Sequence, residues 1–183
     1  MNRIIFHTFI IGVLLCSACT ENHKQKKKIE AELRLFKETA IIFPGNLLSK
    51  NFKEQTSPDT TMLFRSLKMV AYINQKGCMG CKLHDLLPIY MFALENEHLK
   101  NFSVIIILNP SDMEAADYTL TDMHFHQTVF YDIDGSFERL NPHLPTNEQF
   151  HTFLLNENNN VVLVGNPAHN EKVKNLYLKE MNK

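Results

Sequence analysis

Apolar and polar positions change period in a regular order along the second two-thirds of the chain. Met69 to Asn74 (MVAYIN) reads as a strand and Gln75-Lys76-Gly77 as a loop. A helix is predicted from Cys78 to about Glu97, with Leu83, Leu86, Leu87, Tyr90, Met91 and Leu94 as its apolar side. Ser103 to Leu108 (SVIIIL) is a continuous apolar run, the kind of strand buried on both faces of a sheet. Asn109-Pro110-Ser111 stops it and caps a second helix, Asp112 to about Leu120. Thr128 to Tyr131 is a short strand ending in a turn at Asp132 to Gly135, and Asn170 opens a closing helix. Phe150 to Leu155 and Val161 to Val164 flank Asn156 to Asn160 as a hairpin with an Asn-rich loop.

Crossover helices between the first strands require parallel pairing, and the tight last loop requires an antiparallel pair. The fold class expected is therefore α/β, a mixed central sheet with helices on both faces. Ahead of it, Ile29, Leu33 and Phe36 recur at helical spacing over Ile29 to Thr39. Ile41 to Phe43 is a short strand candidate, Pro44-Gly45-Asn46 a turn, and Asn51 to Thr61 a polar separator. The divisions are a leader over 1–18, a tether over 19–28, an N-terminal extension over 29–66 and the main domain over 67–183.

The leader is read from Arg3, the apolar run Ile4 to Leu15 broken only by His7, Thr8 and Gly12, and the small residues Ser17 and Ala18 before Cys19. This is the layout of a secretory signal, too short to be read as a spanning helix. Because the small residues end at a cysteine, Cys19 is the expected site of lipidation. Cys16 fits less well, since it would put bulky Leu15 at the cleavage position. The alternatives are an ordinary cleaved signal or an uncleaved anchor.

Composition narrows the partners. The whole chain carries 19 basic and 20 acidic side chains, and cutting before Cys19 removes only Arg3. A near-neutral balance excludes nucleic acid as the expected partner. The one basic cluster, Lys24 and Lys26 to Lys28, reads as a solvated tether beside the lipid. Of four cysteines, only Cys78 and Cys81 would remain free. A loop this small removes little unfolded-state entropy, so the pair is there for chemistry rather than as a staple.

Cys78-Met79-Gly80-Cys81 sits where the first strand hands over to the first long helix. A thiolate at a helix start is stabilised by unpaired backbone N–H groups, and Lys76 and Lys82 lie close enough in sequence to add to this. Cys78 is expected to be the exposed nucleophile and Cys81, one turn further in, the resolving thiol. Half of a zinc site has the same spacing, so metal binding is the alternative.

MVAYINQKGCMGCKLHDLLP, SVIIILN, TVFYDIDG and FHTFLLNENNNVVLVGNP together resemble the periplasmic thioredoxin-like thiol–disulfide oxidoreductases, in particular the TlpA/ResA-type membrane-anchored members. The resemblance runs from about Leu67 to the C-terminus. It implies a thioredoxin-like fold and exchange of disulfides with exported proteins, with reduction as the expected direction. It also implies a membrane or periplasmic electron donor and a place in the cell envelope, and calls for no cofactor. The departures are specific. The family's aromatic before the first cysteine is Gly77 here, and its acid three residues after the second cysteine is His84. Its helix proline falls two residues late, at Pro88. The cis-proline opening its hairpin is replaced near His151, with Pro145 too far upstream to align.

Facing the sulfurs, His151 would serve as proton donor or base. With Cys78, Cys81 and His84 it would instead complete a metal site. The plain alternatives are a histidine at a strand edge for His151 and a solvated helix position for His84. Asp132-Ile133-Asp134-Gly135 has the start of a calcium loop but no bidentate Glu, so a hairpin turn is expected. A peroxiredoxin-like peroxidase is the other enzyme reading, weakened by the lack of a proline between Pro58 and Cys78. A docking protein with a structural cysteine pair is the non-enzymatic one.

Overall fold

The computed structural model describes residues 23–52 and 57–183; Cys16 and Cys19, and with them the leader and lipid site, lie outside the described residues. Helix α1 covers 23–38, and β1 is Leu48–Asn51. A 3₁₀ turn, Thr60–Phe64, leads to β2 at Leu67–Ile73. Helices α2 (Met79–His84) and α3 (Leu87–Glu95) precede β3 (Phe102–Leu108). Then come α4 (Met113–Asp122), β4 (Thr128–Tyr131) and α5 (Ser136–Leu140). A 3₁₀ turn at Glu148–Phe150 leads to β5 (Thr152–Leu155), β6 (Val161–Val164) and α6 (Glu171–Met181).

The strands form one six-stranded sheet in the order β1-β4-β3-β2-β5-β6. β2, β3 and β4 run parallel, while β5 is antiparallel to β2 and β6 to β5. β1, from the N-terminal extension, completes one edge antiparallel to β4.

Alternation across the pleat explains the unbroken apolar run of β3. Val104, Ile106 and Leu108 enter one core with Leu83, Leu86, Ile89, Phe92, Leu120 and Tyr177 from the helices. Ile105 and Ile107 enter the other, with Phe36 of α1 and Phe137 of α5. Phe36 stands edge-on to Phe153, centroids 5.0 Å apart. Full burial of such a ring contributes roughly 2–3 kcal/mol and docks α1 to the sheet.

Several expectations change. Residues 23–28 are already helical, so this part of the predicted tether belongs to α1; i,i+4 pairs such as Lys26–Glu30 and Lys28–Glu32, each 3.9 Å, support it. Ile41 to Phe43 is not a strand. Ile41 N–H donates to the Asn159 carbonyl (2.9 Å), and a side chain holds the next residue: Asn141 Oδ1 accepts from Ile42 N–H (2.8 Å) and Asn141 Nδ2 donates to the Ile42 carbonyl (2.9 Å). The helix from Cys78 breaks at Asp85-Leu86, where Leu86 N–H reaches back to Leu83 (3.0 Å) in a tighter turn before Pro88, which has no N–H to give. That step shifts the helical phase, so Ile89, Phe92 and Ala93 are buried while Leu87, Met91 and Leu94 face outward. Asp132 to Gly135 opens α5 instead of a hairpin: Asp132 carboxylate oxygens accept from Ser136 N–H (2.8 Å) and Phe137 N–H (3.0 Å).

Lys68 is a buried cation within β2. Its ammonium donates to the carbonyls of Arg65 and Asn156, both at 2.8 Å, tying the start of β2 to the end of β5. Burial lowers its pKa, with Glu157 opposing.

Asn141 is wholly buried and is the clip between the extension and the domain. Asn141→Ala should lower stability in urea by roughly 1–3 kcal/mol, because both Ile42 backbone groups lose their partner. An unchanged unfolding midpoint would show that the clip contributes nothing.

Candidate active site

Gly77 ends the loop after β2 with φ of 75°. An aromatic side chain there would be forced into the left-handed region, at a cost of about 1–2 kcal/mol, which accounts for the glycine just before the first cysteine. The chain then turns into α2 with Cys78 as its N-cap. Cys78 Sγ accepts a hydrogen bond from Cys81 N–H at 3.3 Å. Cys78 and Cys81 are disulfide-bonded, their Cα atoms 5.4 Å apart, inside the span such bonds usually cover.

Both cysteines are exposed. Cys81 is thus no deeper than Cys78, and burial does not distinguish them. The backbone does: the N–H directed at Cys78 stabilises negative charge on that sulfur and on no other.

Lys82, the next residue, points its ammonium away into a polar network. It pairs with Glu148 Oε2 at 2.7 Å and donates to Asn74 Oδ1 at 2.9 Å. Asn74, buried just past β2, donates in turn to Glu138 at 3.3 Å. Partial burial pushes Glu148 up, but bonds from Lys82 and Asn74 more than offset this and hold it below the ordinary carboxylate range. Tyr72, on β2, is bonded to Glu138 and packs against Phe137 (4.8 Å) and His151 (5.6 Å); burial foremost, then the nearby carboxylates, keeps its hydroxyl protonated.

His151 is 5% exposed. Its Nε2 lies 2.8 Å from the Pro145 carbonyl, so that nitrogen carries the proton and Nδ1 is left as an acceptor. Nδ1 is buried and has no hydrogen-bond partner among the described residues. Burial lowers the His151 pKa, against the Pro145 carbonyl, Glu148 and Glu138, which raise it. The His151 backbone is fully engaged: its N–H donates to Glu148 and its carbonyl accepts from Tyr72, both at 3.0 Å. No peptide bond is cis among the described residues.

His151, Lys82, Asn74 and Glu148 line one cavity of about 620 Å³, floored by Ala71, Ile73, Leu86 and Ile89; the cysteines are not among its walls. His84 is exposed at the end of α2. Among the described residues no three His, Cys, Asp or Glu side chains converge on a metal position. The set Cys78, Cys81, His84 and His151 is thus not gathered, since one His151 nitrogen is committed to Pro145.

The arrangement joins residues that the sequence pointed to, Cys78, Cys81 and Lys82, with others it did not. Asn74 lies only four residues before Cys78, but nothing in its spacing marks it. Glu138 and Glu148 arrive from sequence positions more than fifty residues away and carry no local signal.

Comparison with solved structures places this fold. A protein assigned as the thiol:disulfide interchange protein DsbE of Chlorobium tepidum superposes with a TM-score of 0.51 at 19% identity, over 64% of this chain and 82% of that one. A thiol-disulfide oxidoreductase of Bacteroides fragilis gives 0.50 at 14% identity, over 75% and 99%. A PrxQ mutant of Xylella fastidiosa gives 0.51 at 11% identity, over 78% and 97%. The chain has the thioredoxin-like fold. No protein-family model matches the sequence, and no curated protein does.

The depressed pKa of His151 sets a pH dependence. The unfolded chain takes up a proton near the ordinary value of about 6.5 while the folded one resists it, so stability is complete above that pH and falls as pH drops below it. His143, also lowered by burial, acts in the same sense. Urea midpoints between pH 7.5 and 5 should therefore decline. His151→Gln, which keeps a donor for Pro145 but cannot titrate, should flatten the decline; an unaltered slope would remove His151 as its source.

Proposed function

We propose that this protein is an envelope thiol–disulfide oxidoreductase that reduces disulfides of exported proteins. The observation that carries this reading is the solvent-exposed Cys78–Cys81 disulfide at the start of α2, with a backbone N–H directed at Cys78 alone. In the reduced protein, Cys78 thiolate attacks one sulfur of a client disulfide and the other client sulfur leaves as a thiolate. Cys81 thiolate then attacks the Cys78 sulfur of the mixed disulfide. The Cys78–Cys81 bond closes, the client leaves with its second thiol, and two electrons have passed from protein to client. An electron donor of the envelope, itself a dithiol, returns the pair to its reduced form.

The polar network of Lys82, Asn74 and Glu148 supports this role by fixing the helix that carries both sulfurs. His151 is a base held in reserve behind that network, neutral and with a free lone pair. A peroxidase reading shares the fold of PrxQ. The two readings differ in their oxidant, and consumption of hydrogen peroxide at a rate exceeding that with peptide disulfides would favour the peroxidase.

Cys81→Ser should trap clients as mixed disulfides on Cys78, visible as adducts on non-reducing gels, while Cys78→Ser should trap few or none. Equal trapping by both variants would overturn the assignment of roles. Titration of the native pair in dithiothreitol buffers should show one two-electron transition, more reducing than the envelope thiol pool if the direction is right.

Lipidation at Cys19 is part of the same reading. With Cys19 acylated, residue 23 of α1, four positions further on, would lie within about 14 Å of the bilayer. The basic side chains Lys24 and Lys26 to Lys28, all exposed on its first turns, would then face the headgroups. Cys19→Ser should move the protein from the membrane pellet to the soluble fraction; unchanged pelleting would sink the anchor.

A further inference from the structure

Helix α1 is held to the domain by little. Among its described side chains only Phe36 is fully buried, with Ile29, Glu32 and Leu33 partly so. A helix with a single buried anchor opens at a free energy well below that of the whole fold. Two contacts join it to the chain between α5 and β5. Phe36 lies against the ring of His143, centroids 6.0 Å apart, and Thr146 Oγ1 donates to Glu32 at 3.2 Å. Just beyond α1 the chain is fixed independently, by Ile41 N–H on the Asn159 carbonyl and by the Asn141 side chain on Ile42. Thr39 and Ala40 lie between, in no helix or strand, and form the hinge.

His143 is the weak point of this contact. Its Nε2 is buried and has no hydrogen-bond partner among the described residues. In the neutral ring the hydrogen can sit on Nδ1, leaving Nε2 a bare lone pair. In the imidazolium both nitrogens carry hydrogen, so Nε2 becomes a charged donor with nothing to receive it. The ionisable groups around it are committed elsewhere. Glu32 of α1 is taken by Thr146 and Lys28, and the other ionisable side chains of that helix are exposed. β5 carries none. In the connecting chain itself, Arg139 pairs with Asp134, Glu138 accepts from Asn74, Glu148 pairs with Lys82, and His151 packs on Tyr72 and Pro145. Burial alone accounts for the lowered pKa of His143.

We propose that α1 is a pH-released arm: protonation of His143 expels Phe36 from its seat, and α1 swings out about Thr39 and Ala40 while the sheet stays folded. The sign follows from the two states. With α1 released, the ring takes up its proton near the ordinary value of about 6.5; with α1 docked, it resists it. Docking is therefore complete above that pH and weakens as pH falls below it. With Cys19 acylated, the freed arm, roughly 24 Å long, lets the domain move away from the bilayer. That use of the arm rests on the anchor reading above; the release does not.

The test is amide hydrogen exchange of the full chain by mass spectrometry at pH 7.5 and 5, corrected for the intrinsic pH dependence of exchange. Helix α6, whose buried side chains enter the core on the other side of the sheet from Phe36, and strand β3 serve as internal references. Protection of α1 should fall about tenfold relative to both at pH 5, the factor that a tenfold stronger proton affinity of the released ring supplies. His143→Leu should keep α1 protected at pH 5, and His143→Gln gives the same reading should Leu disturb the packing. His23→Gln and His151→Gln, which remove the histidine at the start of α1 and the other one in the connecting chain, should leave the release intact. Phe36→Ala should free α1 at both pH values with β3 still protected. Protection of α1 that follows α6 at both pH values in the unaltered protein would overturn the proposal. So would a release that persists in both His143 variants, or one abolished by His23→Gln or His151→Gln. Loss of β3 protection together with α1 at pH 5 would do the same, since the whole fold would then be opening. Unchanged pelleting of Cys19→Ser would remove the arm's use at the membrane and leave its release standing.

Discussion

The partly buried ammonium of Lys82 joins three parts of the chain. It belongs to the helix of the disulfide, it donates to Asn74 at the end of the central strand β2, and it pairs with Glu148 in the turn before β5. As an ion pair it is worth little, because both partners keep contact with water and exposed pairs contribute about 0–1 kcal/mol. Its effect is geometric. Cys81 precedes it in sequence, so fixing Lys82 fixes the first turn of α2 and with it the Cys81 N–H directed at Cys78. Leu83, fully buried one residue on, holds the same turn from the core side.

Elsewhere the fold depends on a few buried polar side chains acting as backbone partners. Asn141 stands in for a neighbouring strand along Ile42, and Lys68 satisfies two carbonyls that strand pairing leaves over. Each exchanges water for protein partners at small net gain, but losing one strands the groups it serves. This is how residues before β2 become part of the same body as the sheet, through β1 on β4, Phe36 against Phe153 and the Asn141 clip.

The site departs from the pattern it resembles in ways that share a physical logic. Positive φ at Gly77 removes the aromatic side chain that would otherwise shelter the first cysteine. At His151, where the resembled pattern has its proline, both backbone groups are engaged internally.

Local chemistry was enough to foresee much of this. The apolar runs of β2 and β3, the Asn-rich hairpin, the helices beginning near Asp112 and Asn170 and the placement of Cys78-Cys81 at a strand-to-helix junction all follow from periods and caps acting over a few residues. Their parallel and antiparallel pairing follows from connection length. Features that depend on distant partners were not legible. Ile41 to Phe43 has strand composition, but the backbone of Ile42 is satisfied by a side chain ninety-nine residues away and Ile41 N–H by the Asn159 carbonyl. Leu87, Met91 and Leu94 look like core until the tight turn at Leu86 shifts the helical phase and turns them to water. Sequence by itself determined strands β2 to β6, most of the helices after β2 and the place of Cys78 and Cys81, because those are set by neighbours along the chain; the edge strand β1 and helix α5 were not read from it. Only the tertiary structure decided which side of α3 is wet, that both cysteines are open, and that Lys82 meets Asn74 and Glu148 while Asn74 reaches Glu138, because contacts between distant segments leave no periodic trace in either one.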